Sequence, residues 1–162
     1  MLGILRKVSR RLWQERLPES GGAITLPEPN GSGAAGWPLE IRALLVSLRA
    51  RAYVQNNRRR GQRRAYETQA TLWYSPPDQD ADRPPRQATI YTRDATARTL
   101  AFVTDVHLKP HQNVVIEIAS AGPTPPARLQ GQVRRCRQFR DGWFDCVVHL
   151  SSVSFSRSVI RS

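Results

Sequence analysis

Apolar residues recur along this chain at two different periods, and the change from one to the other falls near residue 57. Leu2, Leu5, Val8, Leu12 and Trp13 fall within one helical stripe, with Arg6, Lys7, Arg10 and Arg11 mostly around it, which predicts a short basic amphipathic helix over 2–17. Residues 18–38 carry no period: Gly21-Gly22, Pro27, Pro29 and the run from Gly31 to Gly36 break every pattern and predict a flexible linker. Pro38 suits a first helical turn, where its missing N–H costs nothing, and a second helix is expected from Leu39 to about Gln55. Its apolar stripe is Leu44, Leu45, Leu48, Ala52 and Tyr53, and Asn56-Asn57 end it.

Beyond this point the helical period gives way to short β segments bounded by turn residues, at about 66–74, 87–93, 99–104, 113–119, 128–139 and 143–150. Pro76-Pro77, Pro84-Pro85 and the Pro123–Pro126 stretch punctuate the intervals. Six short strands without a long crossover favour a mainly β fold, an antiparallel barrel, because closing the sheet removes exposed edges. The tail from Ser151 to Ser162 is ambiguous in pattern, with a short closing helix as one option. The organisation expected is a basic helix over 1–17, a linker over 18–38, a helix leading into the barrel over 39–57, and the barrel domain over 58–162.

At 162 residues and 40% hydrophobic content, the chain can build one modest core with extensions, which disfavours a two-domain enzyme. The net charge of +12 is uneven: up to Tyr66 there are 13 Lys and Arg against 4 Asp and Glu, and beyond it 12 against 9. An excess concentrated at the N-terminal side points to an anionic partner there: a nucleotide, a nucleic acid or an acidic membrane surface met by residues 2–17. No run approaches the length of about 20 apolar residues that a membrane span requires. The basic residues near the start interrupt any secretory core segment, so the expected location is the cytoplasm, with the inner membrane surface open to peripheral contact.

The chain offers little for catalysis or metal binding. His107 and His111 flank Pro110 in an expected turn and His149 ends a strand, so all three are read as surface or packing residues, and no metal and no cofactor is expected. Cys136 and Cys146 lie on adjacent expected strands joined at Asp141-Gly142. If Arg140 pairs with Trp143, Val133 pairs with Leu150 and the cysteines fall on opposite faces, both reduced and structural. Trp13, Trp37, Trp73 and Trp143 are read as packing or segment-end residues.

The strongest local feature is Arg58-Arg59-Arg60-Gly61-Gln62-Arg63-Arg64, five arginines in seven residues, within a segment free of acidic residues from Ile41 to Tyr66. The planar guanidinium fork bonds bidentately to phosphate or to the O6/N7 edge of guanine, and it stacks on bases. A second constellation is Asp94-Ala95-Thr96-Ala97-Arg98-Thr99, ahead of the strand from Leu100. Asp94 can accept from a guanine N1/N2 edge, and Thr96 can offer a hydroxyl to phosphate or sugar.

An RxxxR segment just before the first strand, followed by a D/N-x-S-x-x-G turn entering a middle strand, resembles the signature of PilZ domains. The late segments Gly131–Cys136, Asp141–Phe144 and Val147–Leu150 look like that family's final hairpin, and the likeness covers about 58–155. It implies a six-stranded antiparallel PilZ-like barrel that serves as a non-enzymatic bacterial receptor for the second messenger cyclic di-GMP. Arg60 and Arg64 would grip guanine edges and phosphates, while Asp94 and Thr96 receive the ligand. Arg59 and Arg63 are further ligand candidates, Arg59 at the position where the family varies in the number of nucleotides bound. Ligand binding would draw the N-terminal segment against the barrel for a downstream protein partner to sense. Two departures stand out: Thr96 replaces Ser but keeps a hydroxyl, and Thr99 occupies the Gly position, where a β-branched residue disfavours positive φ and blocks close backbone approach. The alternatives are a ligand-independent PilZ-like interaction module or, less favoured, a nucleic-acid-binding small barrel using Trp73, Tyr74 and Tyr91 for stacking.

Overall fold

The computed structural model describes residues 24–29, 33–55, 63–80, 82–120, 123 and 125–155. The basic helix expected at 2–17 and the arginines at 58–60 therefore lie outside the described residues.

The β segments of the sequence become a closed six-stranded antiparallel barrel. Its strands are β2 (Gln69–Tyr74), β3 (Arg86–Ala95), β4 (Thr99–Thr104), β5 (Asn113–Ile118), β6 (Ala127–Arg140) and β7 (Trp143–Phe155), preceded by a two-residue strand β1 (Arg64–Ala65). Around the barrel the order is β3-β2-β5-β6-β7-β4, and the β3–β4 pairing closes it, while β1 pairs with the end of β3 on the edge that β2 also uses, in line with β2. The alternation expected of a half-buried strand is visible where both faces have partners. In β4, Leu100 and Phe102 point into the barrel core, whereas Val103 joins a second apolar cluster on the outer surface. Leu72, Ile90, Ile116 and Leu129 complete the centre of the interior, all fully buried.

The outer cluster exists because of the helix α1 (Leu39–Gln55). Pro38 accepts the first helical hydrogen bond, from Arg42 N at 3.1 Å, as its position predicts. Ile41, Leu44, Leu45 and Leu48 lie against Val103, Tyr91, Phe139 and Trp143, with Trp37 tilted onto Tyr91 at 5.1 Å between ring centroids. Trp143 Nε1 donates to Glu40 Oε1 at 3.0 Å, and Arg49 pairs with Glu67, which holds the helix at both its ends.

Two parts of the stretch expected as linker are packed. Leu26 is buried in the barrel core, Ile24 N donates to Ala97 O at 3.0 Å, and Pro27 O accepts from the Tyr66 hydroxyl at 2.7 Å. Trp37 is buried under the helix start. Residues 24–29 thus form a strap across the end of the barrel that carries the β3–β4 turn.

Three expectations need correction. Residues 66–68 are not part of the first strand: the buried Thr92 hydroxyl accepts from Thr68 N at 2.7 Å and lies 2.8 Å from Tyr66 O, holding an irregular step between β1 and β2. Residues 151–155 do not begin a helix, because β7 continues through Phe155 opposite Ala127. The cysteines do not lie on opposite faces. Arg140 does pair with Trp143 around Gly142, whose φ of 77° suits glycine, but Gln138 then pairs with Phe144 and leaves Phe139 as a bulge. That extra residue shifts the register by one, so Cys136 stands directly opposite Cys146, and a second bulge at Arg134 then brings Val133 opposite Val148. Phe139 is drawn out by the apolar cluster under α1. Further along the same hairpin Gly131 is required, since a Cβ there would lie 2.5 Å from Val148 Cγ1 and 2.6 Å from His149 O.

Candidate functional site

The two constellations singled out in the sequence meet on the outer surface of the barrel. Strand β1 pairs with the end of β3, setting Arg64 opposite Ala95 and Ala65 opposite Asp94. Arg63 and Arg64, the last residues of the arginine-rich run, thereby lie beside the end of β3 that enters the β3–β4 turn. Arg63 Nη1 lies 3.8 Å from Asp94 Oδ1, and the Arg64 guanidinium sits above the Tyr66 ring at 5.9 Å. Arg63 and Asp94 are thus brought together, whereas Arg64, opposite the core-facing Ala95, lies on the other face of the β1–β3 pair beside Tyr66; Arg59 and Arg60 lie outside the described residues.

Asp94 is held by more than Arg63. Arg93, only 4% exposed, reaches Asp94 Oδ2 with Nε at 2.8 Å and Asp145 Oδ1 with Nη1 at 3.3 Å. Neither Arg93 Nε nor Asp145 Oδ1 has an aligned hydrogen-bond partner, so these contacts are ion pairs more than directed bonds. Arg135 Nη2 approaches Asp145 Oδ2 at 3.5 Å. Burial pushes the Asp145 carboxyl above the usual carboxylate range, with Arg93 and Arg135 opposing that shift. The result is a chain of alternating charge, Arg63, Asp94, Arg93, Asp145, Arg135, running from β3 across β4 to β7 and β6.

The turn itself shows what Thr96 and Thr99 do in this chain. Thr96 N donates to Thr99 O at 3.0 Å, which makes Ala97 and Arg98 the two loop residues of a tight hairpin. Thr96 Oγ1 accepts from Thr99 N at 3.0 Å and from Arg98 N at 3.3 Å, and lies 2.7 Å from Thr99 Oγ1. Thr96 is thus the brace of the turn, tied to the backbone N–H and the hydroxyl of Thr99. Thr99 opens β4 without a positive φ, so its β-branched side chain carries no backbone strain; among the described non-glycine residues only His111 has one, at 68°.

Arg93, Arg135 and Asp145 were missed in the sequence. Arg93 is adjacent to Asp94 and in regular alternation would face away from it; a bulge between Thr92 and Asp94 turns both onto the same side. Elsewhere the histidines are engaged in structure: His107 packs on Phe144 at 5.1 Å, and His111 takes the left-handed position after Pro110. A cavity of about 410 Å³ between Trp37, Thr68, Thr71, Thr89 and Glu117 includes none of the residues of the arginine–aspartate site. Among the described residues no helix is long and apolar enough to cross a membrane.

Comparison with known proteins yields no family model and no curated protein that matches this chain.

Proposed function

We propose that this chain is a PilZ-like receptor for cyclic di-GMP, a binding protein and not an enzyme, which relays the signal through its N-terminal segment. The observation that carries the reading is the β1–β3 pairing, which lays Arg63 and Arg64, the last residues of the arginine-rich segment, beside the Asp94 end of β3 at the β3–β4 turn. A dianionic ligand with two guanines asks for guanidinium groups, a carboxylate and a hydroxyl within one small surface; Arg63, Asp94 and Thr99 supply part of that set, and Arg64 would join it from the neighbouring face of β1. The Arg63–Asp94 contact is long and solvent-facing, so exchanging it for a guanine edge costs little. Arg59 and Arg60 would close over the ligand from the segment preceding β1.

Relay follows from the strap. Ile24 donates to Ala97, inside the turn, and Pro27 accepts from Tyr66, between β1 and β2, so a ligand that moves either element moves the chain N-terminal to it. A protein partner reading that movement is the expected next step, and residues 2–17 are suited to an anionic membrane surface. Nucleic acid is less favoured because the carboxylates Asp94 and Asp145 interrupt the basic surface that a phosphate backbone would track.

The test is calorimetric titration of the full chain with cyclic di-GMP near physiological salt, with GTP as control. Saturable micromolar or tighter binding, abolished in Arg60→Ala, Arg64→Ala and Asp94→Ala variants that melt like the parent, is expected. Thr99→Val should weaken binding about tenfold through loss of one hydrogen bond, whereas Thr99→Gly should not abolish it. Absence of heat with the folded parent would remove the receptor reading and leave a ligand-independent interaction module.

A further inference from the structure

The register shift that places Cys136 opposite Cys146 creates a pair of nucleophiles that the ligand reading leaves unused. Directly opposed residues of antiparallel strands have Cα atoms about 4.5–5.5 Å apart, inside the range of about 4.4–6.8 Å that a disulfide requires. Both thiols are free, and both point toward the barrel interior, where Cys146 is fully buried in the core and Cys136 packs against it while keeping part of its surface exposed. Cys136 Sγ also accepts from the backbone N–H of Leu108, in the connection from β4 to β5, at 3.4 Å. We infer that Cys136 and Cys146 form a reversible oxidation site in which a hydroperoxide oxidises Cys136 and Cys146 resolves the product to a cross-strand disulfide.

The two sulfurs are unequal in the way this chemistry needs. A hydrogen bond from the Cys146 thiol, aided by the Leu108 N–H, holds the Cys136 thiol below its ordinary range, with burial and Asp145 opposing. The same bond and complete burial push Cys146 up, so it stays a protonated donor. The more exposed sulfur is thus also the better thiolate. In the first step the Cys136 thiolate attacks the distal peroxide oxygen, the O–O bond breaks, and the alcohol or water leaves with a proton, giving a sulfenic acid. In the second, the Cys146 sulfur attacks Cys136 Sγ: the S–S bond forms, the S–O bond breaks, and the departing hydroxide takes the Cys146 proton as water. Two electrons pass from the two sulfurs to the peroxide, and an external dithiol reverses the exchange. Oxidation alters the one sulfur that accepts from Leu108 N and ties β6 to β7 beside Asp145.

Treating the folded full chain with hydrogen peroxide, quenching, and measuring intact mass and free thiols under denaturing conditions tests this site. A monomer lighter by two hydrogens with no free thiol, restored by dithiothreitol, is expected. Cys146→Ser should retain a Cys136 sulfenic acid that dimedone traps, and Cys136→Ser should leave Cys146 unmodified under the same exposure. Two free thiols after treatment, sulfinic acid as the main product of the parent, or disulfide only between chains would each overturn the inference. None of these readouts depends on cyclic di-GMP.

Discussion

Two patches of very different chemistry share the outer surface of the barrel and meet at one cross-strand pair, Val103 and Asp145. On one side Val103 lies under α1 with Tyr91, Phe139 and Trp143, and Ile41, Leu44 and Leu48 seal it from water. On the other, Arg93, Asp94, Asp145 and Arg135 pair among themselves, with Arg63 at the margin. The apolar patch gains by staying covered, since every exposed Å² costs about 25 cal/mol. The charged patch holds its members at distances of 2.8 to 3.8 Å with incomplete directionality, so its pairs can be exchanged for those of an anionic or guanine-bearing partner. A helix stabilises the first patch, and on the proposed reading a ligand completes the second.

The largest way to break this contrast is Arg93→Ala. Removing the buried cation leaves Asp94 and Asp145 facing each other without their shared partner, and a loss of about 3–5 kcal/mol is expected in urea unfolding. On the apolar side Leu44→Ala, at a site with no exposed surface, should cost about 3 kcal/mol and should loosen α1 while the barrel amides stay protected from hydrogen exchange. Tyr66→Phe, which removes the hydroxyl that ties the strap to β1, should cost about 1 kcal/mol at neutral pH.

The same tyrosine gives a pH test. Burial, partly offset by Arg64, pushes its phenol from 10.0 up to about 12. The folded pKa exceeds the unfolded one, so this contribution is fully present below pH 10 and is lost as pH rises toward 12. The parent should show a steeper alkaline loss of stability than Tyr66→Phe in that window. The smallest effect on stability is expected for Arg63→Gln, below about 1 kcal/mol because the pair is long and partly exposed. If the charged patch is a ligand surface, that substitution should still weaken cyclic di-GMP binding measurably.

Much of this was legible before any coordinates. Helix α1 runs over the residues its period and Pro38 indicate, and six strands fall close to their expected positions, because both signals are local: the spacing of apolar residues and the turn residues between them. Arg63, Arg64 and Asp94 were readable as chemistry from residue type alone. What could not be read was which residues stand opposite one another. The end of β7, the pairing of Arg93 with two carboxylates and the facing cysteines all depend on partners distant in the chain or on bulges at Phe139 and Arg93.

The sequence by itself determined the elements, their order and the kinds of side chain at the β3–β4 turn. Only the tertiary structure decided register and neighbours. A bulge moves every later residue of a strand by one partner, and what stabilises the bulge at Phe139 is contact with a helix about a hundred residues earlier in the chain, which no local pattern contains.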